Sequence, residues 1–315
     1  MSLYVTPNDS FDEQTACLFF DYQKNLPLPV TNVTKEFFSR QLWIFNFGVH
    51  DLRTGKAVMF TYSETYAHKG PNEVISCLRY YIDNHVSPNI TKLRLFCDNS
   101  AGQNKNKYLI AYLYSLQARF DEIIITFPVV GHSRMPINKD FAHIEKAKRK
   151  HDTFHFPSDW TRLIRSSLRN SPFQLIYLEH PLTDDLCDDG TPIARVFNFK
   201  SSLEPYLRPV TGISNVKAFK FSQNGEILAR ESTAGAFTRK YYIRKPFVTS
   251  NLLIQVTLLK ALAFNDFVLL KVPKFNNVMD LLKNVHITPD KVFYSSLQPI
   301  TIVQQADKSD TDNEE

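Results

Sequence analysis

The order of apolar segments predicts an α/β protein: a mixed sheet flanked by helices, with a β-rich accessory region toward the C-terminus. Three observations carry this. Residues 15–64 are dominated by runs of apolar, aromatic and β-branched residues, the composition of strands. Residues 72–150 alternate helical periodicity with short apolar runs, as strand–helix units do. Between two such units the run Leu93-Arg94-Leu95-Phe96-Cys97 stops at Asp98 and gives way to a turn crowded with polar side chains, Asn99, Ser100, Gln103 and Asn104.

Taken in order, Thr15–Tyr22 reads as a central strand carrying Asp21. The Pro-rich stretch QKNLPLPVTNV must be extended or turning. Residues 37–51 and 56–64 read as two strands joined by the turn Leu52-Arg53-Thr54-Gly55. Residues 72–85 place Val74, Ile75, Leu78, Tyr81 and Ile82 on one helical face. The Asp98 strand follows, then a helix over 107–120 with Leu109, Tyr112, Leu113 and Leu116 on one face. Residues 122–130 read as a strand, 131–139 as a polar turn and 140–150 as a helix ending in a basic run. Beyond residue 154 come an N-capped amphipathic helix (158–168), an acidic loop (183–190), β segments over 196–242 with turns at Asn224-Gly225 and Ala234-Gly235, and a short helix at 278–285. The predicted division is a flexible arm (1–14), an α/β core (15–156), an α+β accessory region (157–304) and a disordered acidic tail (305–315).

Composition bounds the function. With 315 residues, 43% hydrophobic and 13% aromatic, the chain can bury a sizeable core, which excludes a disordered protein. A net charge of +5 suits a nucleic-acid partner without requiring one. Four cysteines without a CxxC pair argue against a zinc module and a disulfide framework, and fit a reducing compartment. No apolar run approaches the roughly 20 residues that span a bilayer, and the N-terminus lacks the pattern of a signal peptide. The expectation is an intracellular protein, nuclear or cytoplasmic and not secreted, with no membrane and no small-molecule cofactor. A homo-oligomer stays open.

The strand, hairpin, helix, strand, helix, strand, helix order is that of the ribonuclease H-like fold. There, an acid on the first strand and an acid ending the fourth lie on adjacent strands, and a third comes from a helix after the fifth. Those places hold Asp21, Asp98 and either Glu145 or Asp140. An acid at the carboxyl end of a strand stands where α/β sheets bind ligands, and carboxylates with phosphate oxygens suit Mg²⁺ or Mn²⁺. For Asp98 the plainer role is an Asx-turn or helix cap. Glu145 ranks above Asp140 as third ligand because it lies seven residues from Asn138, about two helical turns, on one face. Its alternative is a solvated partner for Lys148 or Arg149.

Around these acids, His132, Asn138, Asn99, Gln103 and Asn104 are candidate site-lining residues. His132 would contact phosphate or orient a water, or else bond backbone in its turn. Lys105, Lys107, Lys146, Lys148, Arg149 and Lys150 are the candidate nucleic-acid contacts. The run from Lys146 to Lys150 reads equally well as a phosphate track, a nuclear-localisation patch or a solvated helix end.

The segments DYQKNLPLP, RQLWIFNFGVHDLRTGKA, CDNSAGQNKN and GHSRMPINKDFAHIEKAKRK resemble a transposon-derived family, the domain of unknown function DUF7869. The DN-x-x-GQN and GHS blocks are the specific ones, and weaker similarity runs from Asp21 to Leu297. The resemblance implies a ribonuclease H-like transposase or integrase core and metal-dependent phosphoryl chemistry on DNA. Two departures stand out. Ser100 replaces a Cys common in the family, and Asn138 replaces its usual Asp, removing a charge that a divalent cation would use.

Two functions are therefore expected from the sequence. One is a transposase-like or nuclease core with Asp21, Asp98 and Glu145 as catalytic and metal-holding residues and Asp140 as the reserve ligand. The other is a catalytically inactive module of the same descent that binds nucleic acid or protein.

Overall fold

The structure, a computed structural model, describes residues 12–31, 38–128, 135–178, 190–258, 261–264, 267–283 and 291–300. β1 (Thr15–Tyr22) is buried along most of its length, as its unbroken apolar run requires. β2 (Leu26–Leu28) is the extended part of the Pro-rich stretch. β3 (Leu42–Asp51) and β4 (Lys56–Ser63) form the predicted hairpin, whose turn places Gly55 at φ 66°, a left-handed conformation that glycine adopts without strain. α1 (Pro71–His85) starts on a proline, whose missing N–H costs nothing at that position. β5 (Lys92–Phe96) leads through the amide-rich turn to α2 (Lys107–Ser115), where Asn106 accepts the N–H groups of Tyr108 and Leu109, each at 3.1 Å. The helix predicted to residue 120 tightens into a 3₁₀ turn at Leu116–Ala118.

β6 (Glu122–Thr126) is shorter than the predicted 122–130, since Pro128 has no N–H to give to a ladder. α3 (Pro136–Lys148) opens on Pro136, earlier than predicted, so Asn138 lies inside the helix. α4 (Pro157–Ser166) is capped by Asp159, which accepts the N–H groups of His155 and Phe156, rather than by Ser158. There follow β7 (Gln174–Leu178), β8 (Ile193–Ala194), α5 (Phe199–Leu203), β9 (Ala218–Ser222), β10 (Ile227–Arg230), β11 (Arg239–Tyr241), α6 (Ser250–Leu258), α7 (Val272–Leu282) and α8 (Lys291–Ser295).

All the named strands belong to one 11-stranded sheet, ordered β11-β10-β9-β6-β5-β1-β3-β4-β7-β8, with β2 beside β3. β5 is parallel to β1 and β6, and β7 to β4 and β8, while the other neighbours are antiparallel. The protein is thus mixed α/β. Strands after residue 157 extend both edges of the core sheet, so the expected accessory region shares that sheet. Helices cover both faces. Leu18, Phe20, Phe47, Leu95 and Ile125 pack toward α1, α2, α5 and α6. Cys17, Phe19, Met59 and Phe96 pack toward α3, α4 and α7.

Gly48 sets how closely α3 approaches. A methyl group there would lie 2.5 Å from Ile137 Cδ1 and 3.0 Å from Phe141 Cε1. Gly48 is also the cross-strand partner of Asp21. The bare backbone at this position lets α3 seat itself directly beside the candidate site.

Candidate functional site

β1 and β5 run parallel with Phe19 opposite Phe96. The two rings stack, centroids 4.6 Å apart and planes 12° from parallel. Asp21 and Asp98 each follow two residues beyond that pair, and the charge of Asp98 acts on the Asp21 carboxyl. Asp21 is near the carboxyl end of β1, and Asp98 opens the turn that follows β5. The structure therefore brings together two acids that are 77 residues apart in sequence.

Burial, reinforced by the negative charge of Asp98, pushes the Asp21 carboxyl up to about 7. The Tyr22 N–H, 2.7 Å from Asp21 Oδ1, and the nearby Lys69 offset this only in part. Asp98 is held by its own turn. Its Oδ1 accepts the Ser100 N–H at 3.2 Å and the Asn104 side-chain amide. Asn104 is fully buried, and its N–H, like that of Lys105, donates to Ser100 O at 2.8 Å. Asn99 ties the turn to the end of β6 by donating to Pro128 O. The Gln103 carbonyl accepts from the Asn106 amide, the cap of α2.

Lys69 was not among the residues singled out by sequence. It sits between β4 and α1, with its Nζ 4.7 Å from the Tyr22 ring centre, 5.1 Å from that of Phe45 and 3.3 Å from Gln23 O. Partial burial lowers its ammonium to about 8, against the pull of Asp21. No local motif marks it, because only the β1–β3–β4 pairing brings it to Asp21.

The candidates for a third ligand are otherwise engaged. Glu145 Oε1 accepts from Gln23 Nε2 at 2.8 Å, and Gln23 Oε1 in turn accepts from Asn46 Nδ2 at 2.8 Å. Asp140 Oδ2 lies 2.7 Å from His50 Nδ1, both side chains being largely buried. That pairing ties Asp140 to β3 through His50. Asn138 is exposed in the first turn of α3. Among the described residues no three His, Cys, Asp or Glu side chains converge to hold a metal. His132 lies outside the described residues.

The expected basic contacts divide. Lys105 is buried, not on the surface: its Nζ donates to Asn99 Oδ1 at 3.0 Å and Ser214 O at 2.7 Å, and burial lowers it to about 8. It braces the Asp98 turn from inside. Lys107 pairs with Glu204 at 2.7 Å, and the Lys148 ammonium rests 5.4 Å from the Trp160 ring centre. Lys146, Arg149 and Lys150 are exposed around the C-terminal end of α3, where positive charge complements the helix dipole.

A family model described as "Domain of unknown function (DUF7869)" matches residues 42–234, more than half of the chain. The chain belongs to this family. The DUF7869 match contains Asp98, Asn104, Asn138 and Glu145, and begins after Asp21. No curated protein and no solved structure matches the chain. Among the described residues no helix is long and apolar enough to cross a membrane.

Proposed function

We propose that the chain carries a transposon-derived, ribonuclease H-like core whose Asp21–Asp98 pair serves divalent-metal-dependent phosphoryl transfer on DNA. One observation carries this: β1 and β5 pair in parallel up to Phe19 opposite Phe96, and Asp21 and Asp98 each follow two residues on, close enough for the charge of Asp98 to act on Asp21. The order β4-β3-β1-β5-β6, three antiparallel strands followed by two parallel ones, supports the ribonuclease H-like assignment.

The donor set fits a hard cation. In each acid one oxygen accepts the hydrogen bonds described above, and the other has no hydrogen-bond partner among the described residues. Asp21 and Asp98 would hold Mg²⁺ or Mn²⁺ with water and phosphate oxygens completing the sphere. When bound, such a cation lowers the pKa of an attacking water and stabilises charge on the leaving oxygen. The protein's own residues do the positioning. Ser100 and Asn104 orient Asp98, the Tyr22 N–H orients Asp21, and Lys69 offers positive charge to an approaching phosphate.

A second reading is a nucleic-acid-binding or protein-interaction module that has lost the chemistry. It is favoured by the engagement of Glu145 with Gln23, and by Asn138 at a position where the family resemblance leads one to expect Asp. Nicking of supercoiled plasmid with Mn²⁺ separates the two. The catalytic reading expects nicking by the wild type that Asp98→Asn abolishes. DNA retention without nicking by either protein would favour the second.

A further inference from the structure

On the far side of the sheet, a cleft of about 430 Å³ lies between the C-terminal part of α2, the β9–β10 turn and the chain following β11. Arg208, Arg244 and Lys245 line it together with Tyr114, Tyr241 and Tyr242. Local pairing fixes the three cations. Leu207 bridges Arg244 antiparallel, Arg208 N donates to Ile243 O and Lys245 N to Tyr206 O, each at 3.0 Å. The side chains lean on carbonyls, Arg244 on Val248 O and Lys245 on Pro205 O, and none of the three makes an ion pair among the described residues. The neighbouring acids are already engaged: Glu204 with Lys107 and the Tyr108 hydroxyl, Glu226 with Lys240. Glu204 also feels the charge of Lys245, so it offsets that cation in part, but the cleft lining itself holds three cations and no acid among the described residues.

Aromatic surface accompanies it. The Arg208 guanidinium lies 5.3 Å from the Tyr242 ring centre, and that of Arg244 5.5 Å from the Tyr114 ring centre. Tyr242 is 65% exposed and nearby Phe247 is 70% exposed. A lining of three cations and no acid, beside exposed rings, matches the needs of a single-stranded nucleic acid, whose phosphates take the charges while its bases stack. A purely anionic small ligand would not call for exposed rings.

We propose that the cleft of Arg208, Arg244, Lys245 and Tyr242 binds a nucleic-acid strand, with phosphates on the cations and a base on Tyr242. It lies apart from the acid pair. β10 and β1 are separated by four strand spacings, about 19 Å. This inference shares the nucleic-acid partner of the proposed function but not its metal chemistry.

The test is fluorescence anisotropy of a labelled oligothymidine with the full chain in chelator, across a range of salt. The double variant Arg208→Glu/Lys245→Glu should lose at least about tenfold in affinity and have a shallower salt slope, by about 0.7 for each phosphate contact removed. Tyr242→Ala, at an exposed site that leaves the fold intact, should weaken binding about fivefold or more, since one stacked base is worth about 1–3 kcal/mol. Unchanged affinity in Tyr242→Ala and the double variant would overturn the inference, while Mn²⁺-dependent nicking could still stand. No measurable binding by the wild type would also overturn it. So would tight binding of a phosphotyrosine peptide with none of oligothymidine, which would reassign the cleft to a protein partner.

Discussion

Gln23 Nε2 donates to Glu145 Oε1 at 2.8 Å, while Gln23 Oε1 accepts from Asn46 Nδ2 at the same distance. One buried amide thus couples the end of β1 to β3 and to α3. Gln23→Ala would leave the buried Asn46 amide with only the weak acceptor Met59 Sδ and Glu145 without its Gln23 donor, costing about 1–3 kcal/mol. Urea unfolding should show that loss. Glu145→Gln, which keeps the side chain's size and an acceptor oxygen, should cost less than Gln23→Ala. A larger loss for Glu145→Gln would mean that Glu145 carries more of the coupling than this geometry gives it.

The His50–Asp140 contact should behave as structure and not as part of a metal site. Asp140→Ala leaves a largely buried imidazole without its carboxylate, with an expected loss of about 1–3 kcal/mol. The heat of Mn²⁺ binding should stay at the wild-type value. A variant of normal stability with abolished Mn²⁺ binding would return Asp140 to the site.

Gly48→Ala drives a methyl group against Ile137, and overpacking of this kind costs about 1–3 kcal/mol. Ile137→Ala leaves a cavity of its own, but it makes room for that methyl. The double variant should therefore be more stable than the sum of the single losses, because the two sites share one contact. Strict additivity in urea unfolding would show that α3 does not rest on Gly48.

The pattern of strands and helices was legible in the sequence because burial on both sheet faces leaves unbroken apolar runs, as at Phe19 and Phe20. The places of Asp21 and Asp98 were legible for the same reason: each interrupts such a run at its end. Lys69, Gln23 and the His50–Asp140 pair were not. Their relationships span 23 to 122 residues and depend on register, which no local pattern encodes. Lys105 was misread because a lysine in a polar turn looks exposed. Its ammonium instead satisfies Asn99 and the Ser214 carbonyl from within. Strands β9–β11 were seen, but their continuation of the core sheet is set by pairing with β6.

Glu73 gives a pH signature. Burial raises its carboxyl from 4.5 to about 7, although the N–H groups of His68 and Gly70 bond to it. The folded state therefore holds a proton that the unfolded chain releases at lower pH. Stability should fall as pH rises from about 4.5 through about 7 and level off above that. Asp21 contributes with the same sign. Glu73→Gln removes the Glu73 part, so urea midpoints of this variant should fall less steeply over the same interval. Identical slopes would place the Glu73 carboxyl near its ordinary range.

The central claim is that Asp21 and Asp98 form a cation site for phosphoryl transfer, and calorimetric titration with Mn²⁺ in the presence of DNA tests it most directly. The wild type should bind the ion. Asp98→Asn, nearly unchanged in size, should lose that heat while unfolding at a similar urea concentration. Asn138→Asp should bind more tightly, by adding a carboxylate to the first turn of α3. Negligible heats that are indistinguishable among all three proteins, with no Mn²⁺-dependent nicking by the wild type, would contradict it.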